Sequence, residues 1–389
     1  MSMDSFLLEL AQLKSEGLFR RTEAWPQAGG RIEQPDGRTL LNFSSNDYLG
    51  LACDPHVKHR AIQAIERWGC GGTSSRLMCG TLELHEELES ALARLVGGEA
   101  TLVFSSGFGM NVGVVSALAG REDLVFADRL SHASLIDGAR LSGATVKRFA
   151  HNDTAALARL LETTPCRGRR VIVTESVFSM DGDLAPLEAL RTLATQHEAI
   201  LLVDEAHSIG IWGRGGGVCK TLGETARPDF TAATLGKALG TLGGFIVSST
   251  VGREFLVNRA RSFIFATALP PACAGAALGA IERLRQDPAM GERLLERARS
   301  FHGLLLAEGL QLPEFRSQIL PVHVGENNAA LELARSLREQ GLLATAVRPP
   351  TVPRGTARLR LSVTLAHELS DLQWAAARIG QAAREMRLA

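Results

Sequence analysis

The sequence predicts an α/β protein in which a mostly parallel central sheet is followed by a smaller α+β domain. Short apolar runs alternate with helical stretches between residues 100 and 248. The runs are almost continuously apolar, which is typical of parallel strands whose two faces are both covered by helices. After Pro270 and Pro271 the pattern changes to long helices with a few short strands. Together these observations define the fold class.

The composition limits the classes of function. The chain has 389 residues, 45% of them hydrophobic, with 42 basic and 42 acidic residues. This length provides for more than one hydrophobic core, and the balanced charge argues against a nucleic-acid surface. No apolar run is long enough to span a membrane, and the six cysteines lack metal-ligand spacing. We therefore expect a cytoplasmic protein with reduced thiols, no metal, and no nucleic-acid or membrane partner.

We expect three parts along the chain. Residues 1–44 should form an N-terminal helix and short strands that pack with the small domain. Residues 45–285 should form a large domain that holds the sheet, and residues 286–389 the small α+β domain. The first helix is amphipathic and lacks the basic start of a signal peptide.

Each element is predicted from its hydrophobic period and from the turn residues around it. The predicted helices cover residues 1–17, 55–68, 82–96, 107–118, 133–141, 154–161, 187–197, 272–286, 290–308, 328–340 and a last stretch from 370. The predicted strands cover residues 100–104, 124–127, 144–149, 171–174, 200–203, 230–234, 243–248, 319–324, 342–346 and 358–363.

A lysine between two glycines, Gly236-Lys237-Ala238 with Gly240 beyond, follows one of the predicted strands. A buried ammonium is costly, but a desolvated lysine with a lowered pKa forms Schiff bases with carbonyl compounds. The glycines would allow a bulky group to approach the backbone closely. Lys237 is therefore a candidate to carry an aldehyde cofactor. The phosphate-binding loop of nucleotide hydrolases is excluded, because it needs Ser or Thr where Ala238 stands.

Polar residues follow other predicted strands, at the sheet edge where such folds bind ligands. Ser106 and Gly107 begin a helix whose N–H groups could bind a phosphate, although an ordinary N-cap would look the same. His132 follows the next strand. Asp204 ends a buried strand and would be partly desolvated, a cost that a protonated ring nitrogen would offset. Capping a helix or pairing with an arginine is the alternative for Asp204. His207 lies three residues on and can reach the same ligand.

These side chains together describe a site for pyridoxal phosphate. The phosphate would bind at the helix start after Ser106, and His132 would lie over the ring. Asp204 would face the pyridinium nitrogen, His207 the ring hydroxyl, and Lys237 would bond to the aldehyde carbon.

On these motifs the sequence resembles the α-oxoamine synthases, pyridoxal phosphate enzymes that join an amino acid to an acyl thioester with loss of carbon dioxide. The resemblance extends from about Arg20 to His367. It is carried by NFSSNDYLG at 42–50, SHASLIDG at 131–138, FSMDGD at 178–183, VDEAHS at 203–208 and TLGK at 234–237. The resemblance implies the aminotransferase-like fold of these enzymes, fold type I, and a homodimer with shared active sites.

The resemblance also implies roles for individual residues. Lys237 would bind the cofactor and remove the Cα proton, with His132, Asp204 and His207 as further catalytic residues. The implied cofactor contacts are Ser106, Gly107, Phe108, His132, Ser179, Asp204, His207, Thr234 and Lys237. The implied substrate contacts are His132, Thr351, Arg360 for the amino-acid carboxylate, and Arg20, or Arg21 beside it, for a distant acyl carboxylate. Arginine suits both tasks because its fork binds a carboxylate bidentately.

Within the family, residues 346–361 resemble the members that join L-alanine to a pimeloyl thioester in biotin biosynthesis. The acyl carrier, coenzyme A or an acyl-carrier protein, stays open. Members that use glycine with an acetyl or succinyl thioester remain alternatives, as does an aminotransferase, which would share Asp204 and Lys237. A dinucleotide-binding oxidoreductase is disfavoured, because its fingerprint starting at Gly213 needs glycine where Val218 stands.

Overall fold

The computed structural model of the protein describes residues 3–26 and 29–387. Its helices are α1 (Asp4–Ser15), α2 (Pro55–Trp68), α3 (Glu83–Val96), α4 (Gly107–Leu118), α5 (Ala133–Leu141), α6 (Thr154–Thr163), α7 (Leu187–Gln196), α8 (Thr250–Arg259), α9 (Arg261–Ile264), α10 (Pro271–Gln286), α11 (Met290–Ala307), α12 (Asn327–Glu339) and α13 (Leu369–Glu385). Its strands are β1 (Arg31–Glu33), β2 (Thr39–Asn42), β3 (Ala100–Phe104), β4 (Leu124–Asp128), β5 (Thr145–Phe149), β6 (Arg170–Glu175), β7 (Ala199–Asp204), β8 (Phe230–Thr234), β9 (Gly244–Ser248), β10 (Ile319–Gly325), β11 (Leu342–Leu343), β12 (Thr345–Val347) and β13 (Ala357–Ser362).

The chain forms two compact units. The first consists of Met1–Gly50, Met180–Gly182 and Arg293–Ala389, and the second of Leu51–Ser179 and Asp183–Glu292. The division into residues 1–44, 45–285 and 286–389 stays a prediction. Residues 1, 2, 27, 28, 388 and 389 lie outside the described residues.

The second unit is built on a seven-stranded sheet with the order β3-β9-β8-β7-β6-β4-β5. Strands β4 to β8 pair in parallel, and β9 is antiparallel to both of its neighbours. The predicted α/β class with a mostly parallel sheet is therefore confirmed. The parallel order also carries the ends of β4, β6, β7 and β8 to one edge of the sheet, where Asp128, Glu175, Asp204 and Thr234 stand.

The apolar strands form this sheet because both of their faces are buried. Val125, Leu202 and Ile246 are at most 1% exposed and pack in one cluster with Val114 of α4 and Leu135 of α5. Burying each such side chain stabilises the fold by about 1.5–3 kcal/mol. The cluster fixes α4 and α5 against the sheet, and with them the residues at their N-termini.

Caps set where the helices begin. Asp54 accepts the N–H groups of His56 and Val57 at the start of α2, and Asp153 accepts the N–H of Ala156 at the start of α6. Each cap satisfies N–H groups that have no partner within the helix.

The first unit contains two three-stranded sheets, β1-β2-β11 and β10-β13-β12. The single strand predicted at 342–346 is wrong, since two short strands occupy this stretch. Strand β11 pairs with β2 and β12 pairs with β13, with Ala344 between them. An apolar run does not indicate which strand each half of it will pair with, so the sequence could not predict the division into β11 and β12.

Helix α1 begins at Asp4 and ends at Ser15, within the predicted 1–17. Its apolar side chains Phe6, Leu7 and Leu10 are exposed. The apolar face of this amphipathic helix is therefore not buried against the described residues of the chain. None of the helices described here has the length and apolar character needed to cross a bilayer. The six cysteines are free thiols.

Candidate active site

A cavity of about 180 Å³ lies at the carboxyl ends of the strands of the second unit. It brings together Gly107, Phe108, His132, Asp204, His207, Thr234 and Lys237 from the predicted site, and adds Asn111, Ser134 and Glu175.

Lys237 stands in the short connection between the antiparallel strands β8 and β9. Hydrogen bonds from the N–H of Leu235 to the carbonyl of Gly243, and from that of Gly240 to the carbonyl of Lys237, close this loop. Gly240 and Gly243 have φ values of +66° and +133°, which glycine adopts readily. The loop directs the Lys237 amine to His207, whose Nε2 lies 2.8 Å from Nζ.

Asp204 is the last residue of β7 and is only 5% exposed. Its Oδ1 accepts the N–H of Ala206 at 2.9 Å, and its Oδ2 accepts the side-chain amide of Asn111 at 2.6 Å. Both contacts are donors to the carboxylate, so they hold it as an acceptor and offset part of its desolvation.

His132 is the N-cap of α5 and is held at two points. Its backbone N–H donates to Oε1 of Glu175 at 2.6 Å, and its Nδ1 lies 2.7 Å from the hydroxyl of Ser134. Part of the residue faces the open cavity, but the protein atoms packed around the ring displace water and lower its pKa; the negative charge of Asp204 opposes this effect and Lys237 adds to it. The Phe108 ring approaches the His132 ring edge-on, with centroids 6.2 Å apart.

Glu175 is a site residue to which sequence reasoning gave no role. It ends β6 directly beside Asp204 and is 2% exposed. Burial, and then the nearby charge of Asp204, raise the pKa of Glu175 from 4.5 to about 8, although Lys237 and the N–H of His132 act in the opposite direction. The rule that identified Asp204, a polar residue at the end of a buried strand, also applied to Glu175.

Asn111 and Ser134 were missed as well. Both are buried; Asn111 lies one turn inside α4, and Ser134 is the second residue of α5. Asn111 is a polar residue in a helix that is otherwise mostly apolar, which was a usable signal. Ser134 lies within a quoted motif, but nothing in the sequence indicates what its hydroxyl contacts.

The first turn of α4 provides a place for an anion. Ser106 caps the helix, because its hydroxyl accepts the N–H of Gly109 at 3.0 Å. A side chain on Gly107 would stand 3.0 Å from the hydroxyl of Thr234, so glycine keeps this corner open. The Thr234 hydroxyl donates to the carbonyl of Gly243 at 2.9 Å and accepts the N–H of Gly236 at 3.1 Å. Helix N-termini with free N–H groups bind phosphates.

Ser179 ends the first segment of the second unit, in a turn after β6. Of the predicted substrate residues, Arg20, Thr351 and Arg360 belong to the first unit and His132 to the second. Arg360, in β13, is 8% exposed and hydrogen-bonds with Asn46 at 3.1 Å, Tyr48 at 3.1 Å and Ser362 at 2.7 Å.

Arg20 and Arg21 differ in their contacts, and both lie in the first unit. The Arg20 guanidinium donates to the carbonyl of Pro349 at 3.1 Å, two residues before the exposed Thr351. Arg21 instead lies over the ring of Phe19, 5.4 Å from its centroid. Within this unit Arg20 is therefore the one that contacts the Pro-Pro-Thr segment.

Comparison with known proteins places the chain in a family. Residues 38–379 match the family model for aminotransferase class I and II. An 8-amino-7-oxononanoate synthase of Geobacter sulfurreducens is 46% identical over 383 residues, which is 97% of each chain. A solved structure of SPT with PLP as an internal aldimine is 33% identical, has a TM-score of 0.93 and covers 100% of this chain and 98% of its own.

An 8-amino-7-oxononanoate synthase structure from Francisella tularensis is also similar. It is 29% identical with a TM-score of 0.76, over 90% of this chain and 99% of its own. Together, the matched family model, the identity along nearly the whole length and the cavity built around Lys237 show that the chain belongs to the α-oxoamine synthases, within the class I and II aminotransferase family of pyridoxal phosphate enzymes.

Proposed function

We propose that the protein is an 8-amino-7-oxononanoate synthase, which joins L-alanine to a pimeloyl thioester, releases carbon dioxide and the free thiol, and acts in biotin biosynthesis. The observation that carries this proposal is the 46% identity to a synthase of that name over 97% of both chains. The proposed acyl donor is a pimeloyl thioester of either coenzyme A or an acyl-carrier protein, and we propose a cytoplasmic location.

The residues of the cavity fit pyridoxal 5′-phosphate. Lys237 would bond to its aldehyde carbon, Asp204 would accept a hydrogen bond from its protonated ring nitrogen, and the first turn of α4 with Thr234 would hold its phosphate. Two donors already fix Asp204 as an acceptor, which is the state that a protonated ring nitrogen requires. When bound, the cofactor supplies an electron sink for charge that develops at the amino-acid Cα.

The residues of the chain then have separate tasks. With the cofactor bound, Lys237 would be the base that accepts the Cα proton, and His207 lies within hydrogen-bonding distance of its amine. His132 would lie over the cofactor ring, and Ser179 would contact the cofactor. Arg360 binds the alanine carboxylate, with Thr351 nearby. Hydrogen bonds to the neutral side chains of Asn46, Tyr48 and Ser362 orient its guanidinium. Arg20 binds the far carboxylate of the pimeloyl chain.

We also propose a homodimer with shared active sites. The second unit exposes large apolar side chains, Ile62 and Ile65 on α2, Leu77, Met78 and Phe265, each at least 38% accessible. Exposed apolar surface of this kind is typical of protein–protein interfaces.

The second candidate is an L-serine-using synthase, because the SPT structure has the higher TM-score. A TM-score measures the similarity of the backbone, and one fold serves many substrates. Sequence identity is therefore the better guide to the substrate here.

The test uses purified holoenzyme with pimeloyl-coenzyme A and L-alanine, glycine or L-serine in parallel. We expect 8-amino-7-oxononanoate by mass spectrometry with L-alanine, and release of thiol and carbon dioxide in equal amounts. Turnover with glycine or L-serine in place of L-alanine would overturn the assignment in favour of a relative. Pyruvate formed from L-alanine without thiol release would indicate an aminotransferase.

A further inference from the structure

A chain of buried hydrogen bonds connects Asp204 with the ring of His132. The Asn111 amide nitrogen lies 2.6 Å from Oδ2 of Asp204 and 3.0 Å from the hydroxyl of Ser134. That hydroxyl lies 2.7 Å from Nδ1 of His132. Asp204, Asn111 and Ser134 are 5%, 3% and 0% exposed, so these three groups have little access to water, whereas the His132 end of the chain is exposed.

The direction of each hydrogen bond follows from the chemistry of the groups. Asp204 accepts two hydrogen bonds as a carboxylate, so the NH₂ end of Asn111 must face it. The second hydrogen of that NH₂ group points to the Ser134 oxygen. Because this oxygen accepts from Asn111, the Ser134 hydroxyl hydrogen is available for Nδ1 of His132. The backbone N–H of Ser134 also points to Nδ1, at 3.3 Å.

The backbone N–H of Ser134 can only donate, so Nδ1 of His132 is an acceptor and carries no hydrogen itself, and the Ser134 hydroxyl then donates to it as well, over the shorter distance. A neutral imidazole has one N–H, which must then be on Nε2. The lowered pKa of His132 agrees with a neutral ring. The charged and titratable groups that act on the residue are Asp204, Lys237, Asp137 and Glu175.

We infer that Asn111 and Ser134 are positioning residues that fix His132 as the neutral imidazole with its proton on Nε2. This inference deepens the proposed function and rests on it for the role of His132. A fixed Nε2–H is a hydrogen-bond donor for a substrate oxygen that gains negative charge during the reaction, and it needs no reorganisation when that charge develops. Glu175 provides the second anchor by holding the backbone N–H of the same residue.

The first experiment measures the ¹⁵N chemical shifts of the histidine rings in the holoenzyme at neutral pH. The His132 signals are assigned by their loss in His132→Gln. We expect a proton on Nε2 and a proton-free Nδ1. A proton on Nδ1, or on both nitrogens, would overturn the inference. This result needs no substitution at Asn111 or Ser134, so it does not depend on whether their variants fold.

The second experiment compares Ser134→Ala with Ser116→Ala. Ser116 is a matched control, because its hydroxyl bonds back to the carbonyl of Gly113 within α4. In Ser134→Ala we expect the proton of His132 to be shared between Nδ1 and Nε2, and kcat with L-alanine to fall about tenfold, the size of one lost hydrogen bond. Ser134→Thr, which keeps the hydroxyl, should restore the wild-type shifts.

Unchanged ¹⁵N shifts in Ser134→Ala would contradict the role of Ser134 directly. A failure of the proposed function has a different signature. In that case the holoenzyme would not form product from L-alanine and pimeloyl-coenzyme A, while the His132 shifts would still show the proton on Nε2.

Discussion

At the scale of single residues, two buried carboxylates and the half-buried amine of Lys237 decide what the cavity can do. Asp204 and Glu175 end neighbouring strands and are paired in the same register. Two carboxylates this close are not both ionised without cost. Asp204 accepts two hydrogen bonds, whereas Glu175, with its pKa raised to about 8, holds its proton at neutral pH. Lys237 lines the same cavity, and its positive charge opposes the rise of the Glu175 pKa.

Lys237→Ala is expected to lose the visible absorbance of the cofactor and to reduce turnover by about 10²–10⁴-fold, because the same amine anchors the cofactor and moves the Cα proton. Absorption spectra and steady-state rates of the purified variant measure both. Lys14→Ala, at an exposed position of α1, is the control that should retain them. A variant at Lys237 that kept the visible band would contradict the assignment.

Glu175→Gln should remove a pH dependence of stability. The folded pKa of Glu175, about 8, is raised above the ordinary 4.5, so the folded state binds more protons than the unfolded state between these values. Wild-type stability therefore falls as pH rises from about 4.5 to 8. The neutral glutamine of the variant does not lose stability in this way. The Tm of the variant minus that of the wild type should therefore increase across that pH range and then level off. Calorimetry from pH 5 to pH 9 measures the difference; a constant difference would show that Glu175 is ionised throughout.

At the scale of elements, His151 connects the loop after β6 with the end of β4 through two carboxylates. Nδ1 and Nε2 of His151 lie 3.0 Å from Asp128 and 2.7 Å from Asp183, and the His151 ring meets Phe178 edge-on at 4.4 Å. Burial lowers the pKa of His151, but the hydrogen bonds with the two carboxylates raise it to about 10 overall.

His151→Gln is expected to lower the free energy of unfolding by roughly 2 kcal/mol, the value of a charge-assisted hydrogen bond. Because the folded pKa is raised above the ordinary 6.5, the wild-type advantage is complete below about pH 6.5 and is lost as pH rises towards 10. Urea unfolding at pH 6 and pH 9.5 measures the advantage at each end. An equal difference at both pH values would mean that the histidine is not charged in the native state.

Strand β9 and helix α4 meet through glycines, and this contact shapes the anion end of the cavity. A side chain on Gly244 would stand 2.6 Å from Cα of Gly107, closer than any real contact. Gly244→Ala should therefore displace the first turn of α4 and weaken cofactor binding by at least about tenfold, which titration of the apoenzyme measures. Gly303→Ala in α11 is the control, since nothing lies within 4 Å of its new atom and it should leave binding unchanged.

At the scale of the whole molecule, the sequence predicted well those features that depend on residues close together in the chain. The bounds of β3, β8, α2, α4 and α5 agree with the prediction residue for residue, because caps, glycines and apolar runs mark them. Contacts between distant segments were not visible. Asn111 and Asp204 are 93 positions apart, and no period or motif connects them. For the same reason the sequence did not predict that residues 342–347 pair with two different strands, because pairing depends on which strand edge is free after folding.

The proposed homodimer leads to a prediction about the assembled protein. Leu77 and Met78 are 51% and 80% exposed side by side, and a buried charge in an interface is strongly unfavourable. Met78→Lys should shift the protein from dimer to monomer in light scattering. If the active sites are shared, turnover should fall together with the dimer fraction and return at high protein concentration. Val251→Lys, at a position 76% exposed on α8, is the matched control and should stay dimeric. A Met78→Lys monomer with full activity would separate assembly from catalysis, and a wild-type protein that is monomeric at micromolar concentration would contradict the homodimer.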